Sequence, residues 1–194
     1  MASDRPDLAL EEYRGLRATI RQRGTARVIV MTITFVSWSA LALAACALFV
    51  IPAIGLIPLL VLAAGFEGVL ALHVGVERIG RYLQVRYETP DGNPGWEHAA
   101  MRFSGQPRAS GGVDPLFAWP FSLAIVLNLM VVLFMTGGSS TADVGSELLT
   151  LESPPPLAFG IYALLHAVAV ARVVAARRFA KRQRENDLQI LARP

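Results

Sequence analysis

Leu56–Glu88 reads LIPLLVLAAGFEGVLALHVGVERIGRYLQVRYE, and its two halves decide the fold. Up to Val76 the only ionisable side chains are Glu67 and His73. A bilayer core is spanned by ~20 apolar residues at ~1.5 Å rise each, so Leu56–Val76 reads as a transmembrane helix. From Glu77 the stretch keeps helical spacing but turns polar. His73, Glu77, Arg81, Gln84 and Glu88 recur every three or four residues and line one stripe of a helix leaving the bilayer. The run Thr89-Pro90-Asp91-Gly92-Asn93-Pro94-Gly95 then ends it, because proline and glycine do not carry a helix on.

Three further apolar runs, Val28–Val50, Pro115–Thr136 and Leu157–Ala176, are of matching length. The expected fold is an all-α integral membrane protein with four transmembrane helices arranged as two hairpins. An N-terminal amphipathic segment (1–27) precedes the membrane domain (28–176), and a basic cytoplasmic tail (177–194) follows it. The 194-residue chain leaves no room for a separate soluble domain of ordinary size.

Charge sets the orientation. Six arginines precede the first span, five lie in Glu77–Asp114, and six with Lys181 fall from Arg172 onward. The connections Ile51–Gly55 and Gly137–Pro156 carry neither lysine nor arginine. Basic loops stay on the cytoplasmic side during insertion, so both termini are expected there. Seventeen of the 18 basic residues are arginine, and alanine is abundant. That bias is typical of a GC-rich bacterial genome, so the location expected is a bacterial inner membrane. The +3 charge flanks spans, where lipid headgroups account for it, and implies no nucleic-acid partner.

Local signals fill in the rest. Ser3 and Asp4 can cap a helix with Pro6 in its first turn, and Leu10, Tyr13, Leu16 and Ile20 give it an apolar stripe. Such a helix either lies in the headgroup layer or docks on the protein's own loops, and Gly24 is expected to break it. Ile51–Gly55 is a tight apolar turn, Thr89–Asp114 an irregular loop, and Thr141–Leu151 a candidate surface helix. After Ala176 the last helix is expected to continue through Arg177–Leu188. Leu43-Ala44-Ala45-Cys46 has the form of a lipobox, but the 27 residues before the first span carry four acids, unlike a signal peptide. Phe66…Leu72-His73 and Phe159…Leu165-His166 match in spacing, as a duplicated hairpin would.

Ionisable groups inside a span cost roughly 2.5–3.5 kcal/mol on insertion scales and point to function by default. Glu67 lies ~16 Å into its helix and His166 ~13 Å into its own, so the two are candidates to satisfy one another. His73 and Arg172 match nearer the cytoplasmic end, and Asn128 is a further interhelical hydrogen-bond candidate. Gly65, Gly68 and Gly75 permit close helix contact. Glu77, Arg81, Tyr82, Gln84 and Tyr87 form an edge suited to a partner protein. No catalytic residue or metal cluster stands out. No cofactor is expected, with one alternative: His73 and His166 as axial ligands of a b-type haem.

Ala71-Leu72-His73-Val74-Gly75-Val76-Glu77-Arg78-Ile79-Gly80-Arg81-Tyr82-Leu83-Gln84-Val85-Arg86-Tyr87-Glu88 resembles a stretch shared by uncharacterised bacterial four-span membrane proteins. The resemblance implies a membrane bundle and no known activity. The function expected is that of a non-enzymatic accessory, scaffold or assembly subunit of a larger membrane complex, with respiratory and photosynthetic assemblies as candidates. A small proton- or ion-coupled transporter using Glu67 is the alternative. The partners expected are the lipid bilayer and other membrane subunits.

Overall fold

The computed structural model describes residues 5–48, 52–88, 95–104, 116–137 and 156–191, and the described residues are all helix and turn. α1 (Arg5–Leu48) is followed by a 3-10 turn (Pro52–Gly55), α2 (Leu56–Arg86), α3 (Trp96–Ser104), α4 (Ala118–Gly137) and α5 (Pro156–Leu191). α1, α2 and α5 are long and apolar enough to cross a membrane; α4 contributes a shorter apolar helix, Ala118–Leu133.

Helix α1 runs unbroken for 44 residues. It corrects the expected break at Gly24 and the separate amphipathic helix before the first span. An isolated helical glycine costs only about 1 kcal/mol against alanine, and the ladder on both sides outweighs it. Pro6 sits in the first turn, as expected. α2 carries on ten residues beyond Val76 to Arg86, and α5 reaches Leu191. α3 is a correction too: the composition of Thr89–Asp114 predicts an irregular loop, yet Trp96–Ser104 is helical. Its N-terminus is held by the carboxylate of Glu88, two residues past the end of α2, a cap that local composition does not reveal. The proposed Thr141–Leu151 helix and the Ser3–Asp4 cap lie outside the described residues.

The chain divides into two compact units. One comprises Met31–Glu67 and Ala118–Ala175. Its core is apolar: Leu59, Leu62 and Phe66 of α2 and Phe121, Ala124, Ile125 and Val132 of α4 are all buried. Both sets follow the 3.6-residue period, so each helix turns one stripe toward the core. Phe121 sits between Phe35 of α1 and Phe66 of α2, at centroid distances of 5.1 and 5.3 Å. The opposite faces stay bare: Leu43 is 71 % exposed, Leu60 68 % and Leu164 62 %. Against water, stripes of this kind would drive association. Against lipid tails, which are as apolar as leucine, they match their solvent.

The other unit comprises Met1–Val30, Gly68–Phe117 and Ala176–Pro194. Its interior is more polar. Val69, Leu70 and Leu83 are buried there alongside His73, Arg81, Gln84, Glu88 and Glu97. Leu116 is also buried, and Phe117 takes φ 49° immediately before α4. The Arg27 guanidinium stands 5.8 Å from the Phe117 ring centroid, a cation–π distance.

Close helix approach in the apolar unit rests on Gly65. A Cβ built there would overlap the Thr34 side chain of α1, which is itself buried. Gly160 faces open space, with nothing within 4 Å of the same added atom. Gly65→Val is therefore expected to destabilise the bundle by about 1–3 kcal/mol through overpacking, whereas Gly160→Ala costs nothing and gains up to about 1 kcal/mol of helix propensity. Unfolding titrations of both variants in mixed micelles check the difference.

Candidate functional site

Polar groups placed in an apolar bundle must find partners within reach, because lipid offers none. In the apolar unit the partners converge on Asn128, which is 1 % exposed. Its carboxamide nitrogen donates to the Gly55 carbonyl at 3.0 Å and lies 3.0 Å from His166 Nε2. Its oxygen accepts from Trp38 Nε1 at 3.2 Å. His166 Nδ1 lies 2.8 Å from the Tyr162 carbonyl, one turn earlier in α5. The tautomer that satisfies everything is neutral, with the proton on Nδ1 and Nε2 accepting from Asn128. All of the Asn128 donors are then used, and four segments of chain are tied at one point: α1, the 3-10 turn, α4 and α5.

Glu67 and His166, matched in depth in the sequence, take different partners. Glu67 pairs with Arg172: Nε meets Oε1 at 2.7 Å and Nη2 meets Oε2 at 2.8 Å. This two-pronged geometry fits the planar guanidinium to the carboxylate. Both side chains remain about half exposed, at 48 % and 49 %.

In the polar unit the sequence stripe turns inward. Arg81 and Gln84, expected to face a partner protein, are buried, and Arg81 Nη1 donates to Gln84 Oε1 at 2.7 Å. Arg81 Nη2 also stands 3.5 Å from Glu77 one turn back. Tyr82 and Tyr87 donate to the two oxygens of Glu12 on α1, at 2.8 and 2.7 Å. The Arg81 contacts to Gln84 and Glu77 lie within α2, and Glu12 of α1 takes the two tyrosines, so these groups find partners within the chain. Tyr87 also stacks at a tilt on Tyr13, 5.5 Å away. The hydrogen bond it donates to Glu12 holds the Tyr87 phenol up at about 12, because ionisation would break that bond; the negative charge of Glu12 adds to the effect. His73 is 3.3 Å from Arg27, through Nδ1.

Glu88 caps α3. Its oxygens accept from the backbone N–H of Glu97 and of His98, each at 3.0 Å, and Oε2 also lies 3.0 Å from His98 Nδ1. These are the unpaired donors of a helix N-terminus, where a carboxylate is also favoured by the helix dipole. Arg17 bridges the assembly, 2.7 Å from Glu97 and 3.6 Å from Glu88. Gly95 leaves room for the cap, since a Cβ there would strike the Glu88 carboxylate. Burial alone would raise Glu88's affinity for a proton, but the amides of Glu97 and His98 and the His98 ring together lower its pKa below the ordinary 4.5.

The haem alternative fits poorly with this donor set. Both ring nitrogens of His166 already face hydrogen-bonding partners in a 2 % exposed site, so axial ligation would require undoing the Asn128 network. Among the described residues no group of three or more His, Cys, Asp or Glu side chains is placed to hold a metal ion. The proposed hairpin duplication is not mirrored in surroundings: Phe66 is buried while Phe159 is 39 % exposed, and His73 and His166 keep different company. An open groove of about 880 Å³ lies between α1 and α4, lined by Trp38, Ala42, Leu43, Cys46, Leu127 and Met130, among others. Its lining carries no ionisable side chain apart from the Cys46 thiol.

Sequence reasoning singles out Asn128 and His166 but misses Trp38, Glu12, Arg17, Arg27, Glu97 and His98. The first reads as filler in an apolar run and the others as solvated charges. Comparison with family models, with curated proteins and with solved structures gave no match.

Two outcomes are expected. Asn128→Leu strands His166 and Trp38 and costs about 1–3 kcal/mol; adding His166→Leu recovers part of that loss, because the stranded partner goes with it. Denaturation of the single and double variants in micelles reads the difference. The Glu88 cap contributes its stability in full above pH 4.5 and loses it as pH falls through the lowered folded value. The protection of the Glu97 and His98 amides, measured against their intrinsic exchange rates at each pH, is expected to fall on acidification below that range, and to lose this pH dependence in Glu88→Gln.

Proposed function

We propose that the chain is a non-catalytic accessory or assembly subunit of a larger bacterial membrane complex. On this reading it crosses the inner membrane four times as two hairpins. Both termini and the connection Glu77–Asp114 are cytoplasmic, a reading supported by the arginine distribution. Respiratory and photosynthetic assemblies are the candidate complexes.

The observation that carries the proposal is the closure of the intramembrane polar groups. Asn128, His166 and Trp38 direct their hydrogen bonds to one another and to two backbone carbonyls. A substrate site would hold some of those groups in reserve, converging on a cavity. Here the large groove is apolar and open, suited to a helix or an acyl chain. Bare leucine and valine stripes on α1, α2 and α5 add contact surface of the same kind.

Glu67 keeps the ion-coupled reading in contention, because its pair with Arg172 is half exposed. A carboxylate engaged through both oxygens moves a proton or an ion only when Arg172 releases it, however. Among the described residues the resting geometry offers no second acceptor for the guanidinium. The two readings separate cleanly. Affinity purification from native membranes in mild detergent is expected to recover stoichiometric partner chains. Purified protein in liposomes is expected to show no proton or cation flux that Glu67→Gln abolishes. Such a flux, together with a lack of co-purifying chains, would overturn the assignment.

A further inference from the structure

The Glu67–Arg172 pair has a geometry that matters beyond neutralising two charges. It bridges two neighbouring helices, α2 and α5, so carboxylate and guanidinium lie side by side rather than stacked along one helix. It is half exposed, and the surface around it is otherwise apolar: Leu60 and Ala64 lead up to Glu67 on α2, and Leu165 and Val168 lead up to Arg172 on α5, all exposed. The pair occupies two of the five N–H donors that an arginine has, leaving three for another acceptor. Within a bilayer those donors and the spare carboxylate lone pairs have no water to turn to.

We propose that this α2–α5 face binds a second copy of the same chain about a two-fold axis along the membrane normal. Copies inserted with one topology can be related only by an axis in that direction. A face on such an axis meets itself at equal depth. Complementary charges must then sit at one depth and side by side, so that a half-turn lays Glu67 of each chain against Arg172 of the other. A charge pair spaced along a single helix would instead set like charge against like. The interhelical pair seen here meets the requirement, and the four charges close into an alternating ring that uses the free donors and lone pairs. Ala64, one turn from Glu67, lets the backbones approach. The dimer stands independently of the accessory role: a homodimer docks to a complex or acts alone with equal ease.

The test uses full-length protein carrying Cys46→Ser, so that introduced thiols are the only ones. Ala64→Cys in that background is expected to cross-link in native membranes, with a short bis-maleimide, to a species of twice the chain's 20.9 kDa. A cysteine at Leu43, which lines the α1–α4 groove instead, is expected not to. Glu67→Arg gives a face with two positive charges and Arg172→Glu one with two negative charges. Each alone is expected to lose most of the cross-link, and co-expression of the two, differently tagged, restores it between unlike chains. The double variant with both changes keeps the internal pair and the dimer. The proposal is overturned if Ala64→Cys yields no cross-link between copies, if it captures only a different polypeptide, or if the single charge variants accumulate normally and dimerise as well as the parent. Should the single variants fail to accumulate, the Ala64→Cys cross-link in the otherwise native face still decides the matter.

Discussion

A polar atom inside a lipid bilayer has no solvent to fall back on, and this constraint shapes the rest of the structure. Backbone groups meet it by forming helices. Side chains meet it by finding one another, and Asn128 is where they do so in the apolar unit. One carboxamide takes hydrogen bonds from or gives them to Trp38, Gly55 and His166, and so fixes the register of α1, the turn, α4 and α5 at a single level. Leucine and phenylalanine packing around it supplies non-directional cohesion. The amide supplies direction, since sliding any of these helices by a turn would leave a donor bare in a medium of low dielectric, where an unpaired polar group is most costly.

The polar unit solves the same problem by different means. Its groups lie where the helices outrun the length a bilayer needs, and they are charged. Glu88 takes the N-terminus of α3 in a grip of two backbone amides, and Arg17 ties that grip to α1. Glu12 accepts from two tyrosines, Tyr82 of α2 and Tyr87 just past its end. The consequence is a short helix positioned by the Glu88 carboxylate just past the end of α2, and an N-terminal half of α1 that offers Glu12, Tyr13 and Arg17 to its own chain.

The membrane character and the long apolar helices are legible in the residues, because a run of about 20 apolar side chains suits a lipid core and little else. The continuation of α2 past Val76 is legible in the helical spacing of His73, Glu77, Arg81 and Gln84. What is not legible follows from long-range pairing. Gly24 looks like a breaker in isolation, yet α1 passes through it. Trp96–Ser104 looks like loop, because the carboxylate that caps it lies several residues upstream in the sequence, before a proline- and glycine-rich stretch. Glu67 and His166 match by depth, but depth leaves rotation about each helix undetermined. That rotation sets Asn128 against His166 and Arg172 against Glu67. Arg81 and Gln84 form a stripe in either reading, and only the placement of α1 shows which way it faces.

The central claim is a lipid-embedded bundle whose internal polar groups are sealed against one another and against water. Hydrogen exchange at the Trp38 indole N–H, followed by NMR in protein reconstituted into bilayers and moved into heavy water, reads that claim directly. Slow exchange, comparable with the protected backbone amides of α4, is the expected result. Exchange as rapid as at the exposed indole of Trp96 would mean that water reaches Asn128, and would contradict both the closed network and the non-transporting role built on it.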